Sequence, residues 1–284
     1  MADYINPDAL VSTDWLAAHL DVPDIRIVDA SWYLPAEKRD PKAEFLDAHI
    51  PGAVFFDIDD ISDTDQPLPH MVASPIKFSF RVRKLGLGDG NRIVAYDSAG
   101  LFSAARVWWN FRYMGHTDVA VLDGGLPKWI KEGRPLERGS AHPRERHFTP
   151  RANSFLVRDV GQMLANIASR RDQVIDVRSA GRFHARDPEP RPGLRSGHIP
   201  GALNLPYPNI LDPAEKTMLP ADRLRAAFDR AGIDPTRPSV TSCGSGITAA
   251  IMALGMYLLG NKEVAVYDGS WTEWGGRADT PIET

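Results

Sequence analysis

The sequence predicts an α/β protein built of two tandem domains, each a mostly parallel sheet flanked by helices. Three observations predict it: a length that suits two domains, an internal repeat, and strand–helix alternation in each half. The chain has 284 residues, comfortable for two domains of about 140. The repeat has a period of about 145 residues, far longer than that of a solenoid. His49-Ile50-Pro51-Gly52-Ala53 recurs as His198-Ile199-Pro200-Gly201-Ala202. Val121-Leu122-Asp123-Gly124-Gly125 recurs as Val266-Tyr267-Asp268-Gly269-Ser270, with Trp129 then matching Trp274. Arg26-Ile27-Val28-Asp29 matches Gln173-Val174-Ile175-Asp176. The matches keep their order and nearly constant spacing, so the simplest meaning is a duplicated domain.

In the first half, short β-branched runs predict strands at Ile25–Asp29, Arg92–Tyr96 and Val119–Leu122. Helices are expected at Pro75–Leu85, Ser103–Met114 and Gly125–Lys131. In the second half, strands are expected at Val174–Val177, Ala202–Leu205, Ser239–Ser242 and Val264–Tyr267. The helices there are Arg158–Ala168, Pro220–Ala231, Ile247–Leu259 and Trp271–Gly275. Strands alternating with helices imply a parallel sheet covered on both faces. Gly133 to Arg151, rich in Pro, Arg, His and Ser, reads as an exposed linker. The domains are therefore set at residues 1–145 and 154–284, with 146–153 closing the linker.

Apolar residues make up 43% of the chain and charged residues 25%, with a net charge of −4. No basic stripe with interleaved aromatics points to nucleic acid. The longest apolar stretches, such as Ala249 to Leu259, are too short to span a bilayer. The opening residues lack the basic and apolar regions of a secretory signal, so a soluble cytoplasmic protein is expected. A single cysteine excludes an intrachain disulfide and any cysteine-cluster metal site. No metal or organic cofactor is indicated.

That cysteine is the centre of the chemistry. Cys243 follows the strand Ser239–Ser242 and precedes a mostly apolar helix, with Gly244-Ser245-Gly246-Ile247-Thr248 between. Ligands of open α/β sheets bind beyond the carboxyl ends of strands. Two glycines let backbone N–H groups turn inward as an anion-binding nest, and a helix start adds partial positive charge. A thiolate there is stabilised, and its pKa is expected to fall from about 8.5 towards neutrality.

Cys243-Gly244-Ser245-Gly246-Ile247-Thr248-Ala249 resembles the active-site loop of the rhodanese superfamily, in the form typical of 3-mercaptopyruvate sulfurtransferases. The usual loop has Val where this chain has Ile247. The resemblance takes in Ala43-Glu44-Phe45, both His-Ile-Pro-Gly-Ala turns, Arg106-Val107-Trp108-Trp109 and Leu122-Asp123-Gly124-Gly125. In the second half it takes in Gly181-Arg182-Phe183, Pro188-Glu189-Pro190-Arg191 and Tyr267-Asp268-Gly269-Ser270-Trp271-Thr272-Glu273-Trp274. It implies tandem rhodanese-like domains, the first inactive and the second catalytic. In agreement, the first half has Asp97 where the second has Cys243, and a carboxylate cannot carry a sulfane sulfur. The first half is then scaffold and one wall of the cleft.

By the same resemblance, Cys243 takes sulfur from 3-mercaptopyruvate as a persulfide, releases pyruvate, and passes the sulfur to a thiol such as thioredoxin, or to cyanide. Thiosulfate-using relatives typically carry basic residues directly after the cysteine. Gly244 and Ser245 are uncharged, which favours a carboxylate-bearing thiol. Arg182 and Arg191 look like the substrate-binding arginines, and a planar guanidinium matches a carboxylate. Gly244, Gly246, Ile247 and Thr248 complete the expected binding loop. Ser245, His70 and Asp59 would form a proton relay. Arg178, Arg186 and Arg195 are expected to be surface charges. His49 and His198 occur in both halves and are assigned to structural turns. Trp108, Trp109, Trp271 and Trp274 are assigned to core and interdomain packing. The alternatives are a thiosulfate:cyanide sulfurtransferase, a cysteine phosphatase, and a sulfur-carrier module with negligible turnover. A phosphatase needs a longer loop ending in arginine, which is absent here.

Overall fold

Short runs of β-branched and other apolar residues make two sheets whose central strands are buried on both faces. In the first half these are β1 (Leu10–Val11), β2 (Ile25–Asp29), β3 (Val54–Phe55), β4 (Arg92–Tyr96) and β5 (Val119–Leu122). Helices α1 (Thr13–Ala17), α2 (Pro41–Asp47), α3 (Pro75–Lys84), α4 (Ala104–Tyr113) and α5 (Gly125–Lys131) alternate with them. The second half repeats the pattern with β6 (Val157–Arg158), β7 (Gln173–Asp176), β8 (Leu203–Asn204), β9 (Ser239–Ser242) and β10 (Ala265–Tyr267). Its helices are α6 (Val160–Ser169), α7 (Ala180–Phe183), α8 (Ala221–Arg230), α9 (Ala249–Leu258) and α10 (Ser270–Trp274). This computed structural model describes residues 4–141 and 143–284.

The sheet orders are β1-β5-β4-β2-β3 and β6-β10-β9-β7-β8, with all pairs parallel. The two orders are the same pattern, so the duplication seen in sequence is a duplication of topology. Expected elements form with ends moved by a residue or two. The two-residue strands β1, β3 and β6 and the helices α1, α2 and α7 are additions to that reading. They are too short to leave a periodic signal.

Helix α9 is apolar almost all round and buried nearly throughout, as such a helix must be. It packs against α4 of the first half. One hydrophobic cluster therefore runs through both halves, holding Phe56, Phe78, Trp108 and Trp109 together with Leu224, Phe228, Ile251 and Met252. Two smaller clusters cover the outer faces of the sheets, around Trp129 in one half and Trp271 and Trp274 in the other.

The segment expected to be an exposed linker is mostly exposed, and it is pinned to the first half at two points. Glu137 pairs as an antiparallel bridge with His49, just as Glu283 pairs with His198. Phe148 is buried against Phe78 and Phe111. That buried ring anchors a run that polar composition alone marks as free.

The halves also exchange arms. The first half's arm closes with a bridge between Ser62 and Val72, and Val72 N donates to Asp268 Oδ2 at 2.7 Å. The second half's arm closes between Leu211 and Met218, and Met218 N donates to Asp123 Oδ1 at 2.8 Å. The aspartates are the repeated ones of the sequence, but their surroundings differ. Asp268 is also paired with Arg106 of α4, Nη2 to Oδ1 at 2.7 Å, with both side chains buried. The corresponding helix α9 carries no charged residue, so Asp123 gains no such partner. Burial pushes the Asp123 carboxyl up to about 7, against the pull of Met218 N–H and Lys128.

Two outcomes follow. Arg106→Met strands Asp268 in the interior and should cost about 3–5 kcal/mol, read from the urea unfolding midpoint. A change below about 1 kcal/mol would mean that Asp268 finds another partner. For Asp123 the folded-state value lies above the ordinary carboxylate value, so its contribution is lost as pH rises through about 7. Asp123→Asn should therefore stabilise the protein at pH 8 by about 1–2 kcal/mol, with little gain near pH 4. An equal gain at both pH values would sink that assignment.

Candidate active site

The carboxyl end of β9 delivers Cys243 to the floor of a cavity of about 370 Å³. Only 2% of Cys243 is exposed to solvent, yet the residue lines the cavity. The thiol is thus recessed but not sealed. Gly246 N–H points at Sγ, with 3.1 Å between the heavy atoms. The loop carbonyls are turned the other way. Trp271 N takes the Cys243 carbonyl at 3.0 Å, and Thr272 binds the Gly244 carbonyl through N and Oγ1 at 2.9 and 2.6 Å. Arg106 Nη1 takes the Gly246 carbonyl at 3.3 Å. Ser270 Oγ accepts from Cys243 N and donates to the Tyr267 carbonyl. Helix α10 and Arg106 therefore hold the carbonyls outward, while the Gly246 amide faces the sulfur.

Gly246 has φ of +82°, and a Cβ there would stand 3.0 Å from both Arg106 Nη1 and the Asp268 carbonyl. No other residue fits without shifting that network. Gly244 is informative in another way. A Cβ on it would lie 3.4 Å from Arg182 Nη2 and 3.7 Å from Arg191 Nη1. Both guanidinium groups thus converge above the loop, beside the sulfur.

The first half carries the comparison within the molecule. At the end of β4, the Asp97 carboxylate accepts four backbone N–H groups, from Ala99, Gly100, Phe102 and Ala104, at 2.7 to 2.9 Å. Burial pushes its carboxyl up, and those four donors oppose the shift. The strand-to-helix loop of this fold is therefore an anion cradle, and in this half the protein fills it with its own side chain.

The cavity wall comes from both halves. Trp32, Leu34 and Phe102 of the first half face Arg182, Pro190, Arg191 and Tyr207 of the second. Ser245, Ile247 and Thr248 line it with Cys243 and Gly244. Arg182 is held by Glu189, Nη2 to Oε2 at 2.5 Å. Arg191 makes no ion pair among the described residues. Burial lowers its guanidinium value, and the nearby Cys243 opposes that.

His70 and Asp59 come together, with Nδ1 2.9 Å from Oδ1. His70 is buried against Trp32 of the cavity wall, whereas Asp59 is largely exposed and its Oδ2 accepts from Trp32 Nε1 at 3.1 Å. Burial holds the His70 imidazole below its ordinary value, outweighing the attraction of Asp59. Burial raises the Asp59 carboxyl, but contacts with His70 and Trp32 outweigh it and leave it low. His70 Nε2 is buried without a hydrogen-bond partner, so no bond links it to Ser245 in this structure. The structure thus brings together two members of the expected relay.

Arg178 is not a surface charge. It is buried, bonded through Nη2 to Asp176 at 2.6 Å and through Nη1 to Glu189 at 2.7 Å, and stacked over Trp271. Arg195 is half-buried and donates to the carbonyls of Trp274, Gly275 and Thr280. Only Arg186 of that trio is exposed. Sequence reasoning also left Arg106, Glu189 and Asp268 without roles. The available signal was their presence in the quoted motifs, and for Asp268 its recurrence as Asp123. His49 and His198 serve turns, bonding the Phe45 and Phe183 carbonyls. Trp108, Trp109, Trp271 and Trp274 are all buried. A larger cavity of about 620 Å³, near Lys42, Phe45 and Arg81, lies away from the thiol.

Residues 12–132 and 159–277 each match the rhodanese-like domain family. The 3-mercaptopyruvate sulfurtransferase of Homo sapiens is 42% identical over 95% of this chain and 93% of its own length. That of Escherichia coli K12 is 43% identical, over 96% and 97%. The thiosulfate sulfurtransferase of Bos taurus is 42% identical, over 97% and 94%. The crystal structure of the 3-mercaptopyruvate sulfurtransferase SseA from Escherichia coli superposes with a TM-score of 0.85 at 40% identity, covering 93% of this chain and 98% of that one. Two consecutive matched copies, and relatives similar over almost their full length, establish that this chain belongs to the rhodanese family.

Proposed function

We propose that this protein is a sulfurtransferase that moves sulfur from 3-mercaptopyruvate through a persulfide on Cys243 to a thiol acceptor, releasing pyruvate. The observation that carries this reading is the convergence of Arg182 and Arg191 over Gly244, beside the Cys243 sulfur. A planar carboxylate fits between two such forks, and its thiol then falls next to Sγ. Similarity alone does not choose the donor, because relatives named for 3-mercaptopyruvate and for thiosulfate are each 42% identical. The uncharged Gly244 and Ser245 favour the organic donor.

The step balances as follows. The Cys243 thiolate attacks the donor sulfur, the carbon–sulfur bond breaks, and its electron pair leaves as pyruvate enolate. The proton of the donor thiol passes to the enolate carbon, and the outer persulfide sulfur keeps the negative charge. The Gly246 N–H, 3.1 Å from Sγ, stabilises the attacking thiolate. Ser245 with the His70–Asp59 pair is the route we assign to the proton. A neutral His70 whose Nε2 has no other partner supports that role. An acceptor thiolate then attacks the outer sulfur and frees Cys243. Reduced thioredoxin in the cytoplasm is a suitable acceptor, because a reducing compartment also keeps Cys243 as a thiol. Among the described residues no helix is long and apolar enough to cross a membrane.

Treatment with 3-mercaptopyruvate should add one sulfur to the mass of the protein, and Cys243→Ser should abolish the increment. An undiminished increment in that variant would end the persulfide reading. Steady-state assays with both donors test the carboxylate site. Arg191→Ala should lower kcat/KM for 3-mercaptopyruvate by about a hundredfold and spare thiosulfate more. Equal losses with the two donors would count against carboxylate recognition.

A further inference from the structure

We infer that Glu189 is a positioning residue that sets donor specificity: by neutralising one arginine of the cavity, it leaves Arg191 as the single unbalanced cation and so selects singly charged donors over doubly charged ones. The inference rests on the donor reading above and deepens it.

The Glu189 side chain is 2% exposed. Its Oε1 accepts from Arg178 Nη1 at 2.7 Å and Arg182 Nε at 3.3 Å, and its Oε2 from Arg182 Nη2 at 2.5 Å. Arg178 is independently satisfied by Asp176 and by the Gly197 carbonyl. Of the three guanidinium groups, Arg178 and Arg182 are directly paired with Asp176 and Glu189, whereas Arg191 has no ion pair among the described residues and feels Glu189 and Asp59 only through space. Two arginines reach the loop, but only Arg191 brings a charge with no carboxylate bonded to it. A carboxylate-bearing thiol needs one such charge and one oriented fork. A dianion such as thiosulfate needs more cation than the cavity holds.

The first half argues the same point by contrast. It has Glu44 in the place of Arg182, directly before Phe45, which matches Phe183. Only three residues separate Phe45 from His49, whereas fourteen separate Phe183 from His198. The added segment holds both Glu189 and Arg191, stiffened by Pro188, Pro190 and Pro192. The counter-charge and the free charge therefore arrive together, on one loop, in the half that has the thiol.

The test compares the wild type, Glu189→Gln and Glu189→Asp with both donors and one acceptor. In parallel, pyruvate and inorganic sulfate are titrated into each protein on a Cys243→Ser background. Glu189→Gln should lower the preference for 3-mercaptopyruvate over thiosulfate, as a ratio of kcat/KM, by about tenfold. The change should appear mainly in KM, and sulfate should bind more tightly relative to pyruvate. Glu189→Asp keeps the charge but shortens the reach. It should slow both donors yet hold the ratio within about threefold. If Glu189→Gln does not fold, the Asp variant alone decides: a collapsed ratio there overturns the inference. So does a Gln variant in which both donors weaken equally. A wild-type protein that uses only thiosulfate would instead overturn the donor reading itself.

Discussion

One buried ion pair fixes the geometry on which the thiol depends. Arg106 reaches from α4 of the first half to Asp268 of the second, and it also takes the carbonyls of Gly246 and His70. A single guanidinium thereby determines which way the cysteine loop faces, where the His70 backbone sits at its left-handed φ of +62°, and how the exchanged arm meets Asp268. Such a pair adds little net stability over an apolar replacement, because removing two charges from water is costly. What it adds is uniqueness. An apolar side chain at 106 fills the same space but gives the Gly246 carbonyl no reason to point outward.

Duplication supplied two copies of this scaffold, and the copies have diverged where charge matters. Each half keeps its strand order, its histidine turn, its exchanged arm and its aspartate after the last strand. In the first half a carboxylate fills the loop cradle, and Glu44 stands where Arg182 would be. In the second half a thiol lies beneath converging arginines, and the aspartate has gained Arg106. The first half still contributes to the cavity, through Trp32, Leu34 and Phe102 on its wall and through the His70–Asp59 contact beside Trp32.

Much of this was legible beforehand. The repeat and the β-branched runs gave the two α/β domains, because a buried parallel sheet imposes continuous apolar strands and a regular alternation. Cys243 and its glycines gave the loop, since few contexts place a cysteine between a strand and a buried helix. Contacts between distant segments were not legible. Nothing in composition tells that Arg178 is buried over Trp271 or that Arg106 crosses the interface. Phe148 shows the same limit, as one buried ring outweighed the polar character of its surroundings. The expected Asp59–His70 contact is present, while the equally expected link to Ser245 is not formed in this structure.

The shared hydrophobic cluster has a consequence for how the molecule can be taken apart. Each sheet is covered by a helix of its own half, α4 or α9, these two helices pack on each other within one cluster, and each arm is anchored on the opposite aspartate. A cut near residue 150 would expose Ile251, Met252 and Trp108 to water and leave both arms unmoored. The chain is modular in ancestry, but the shared cluster and the exchanged arms make the packing of each half depend on the other.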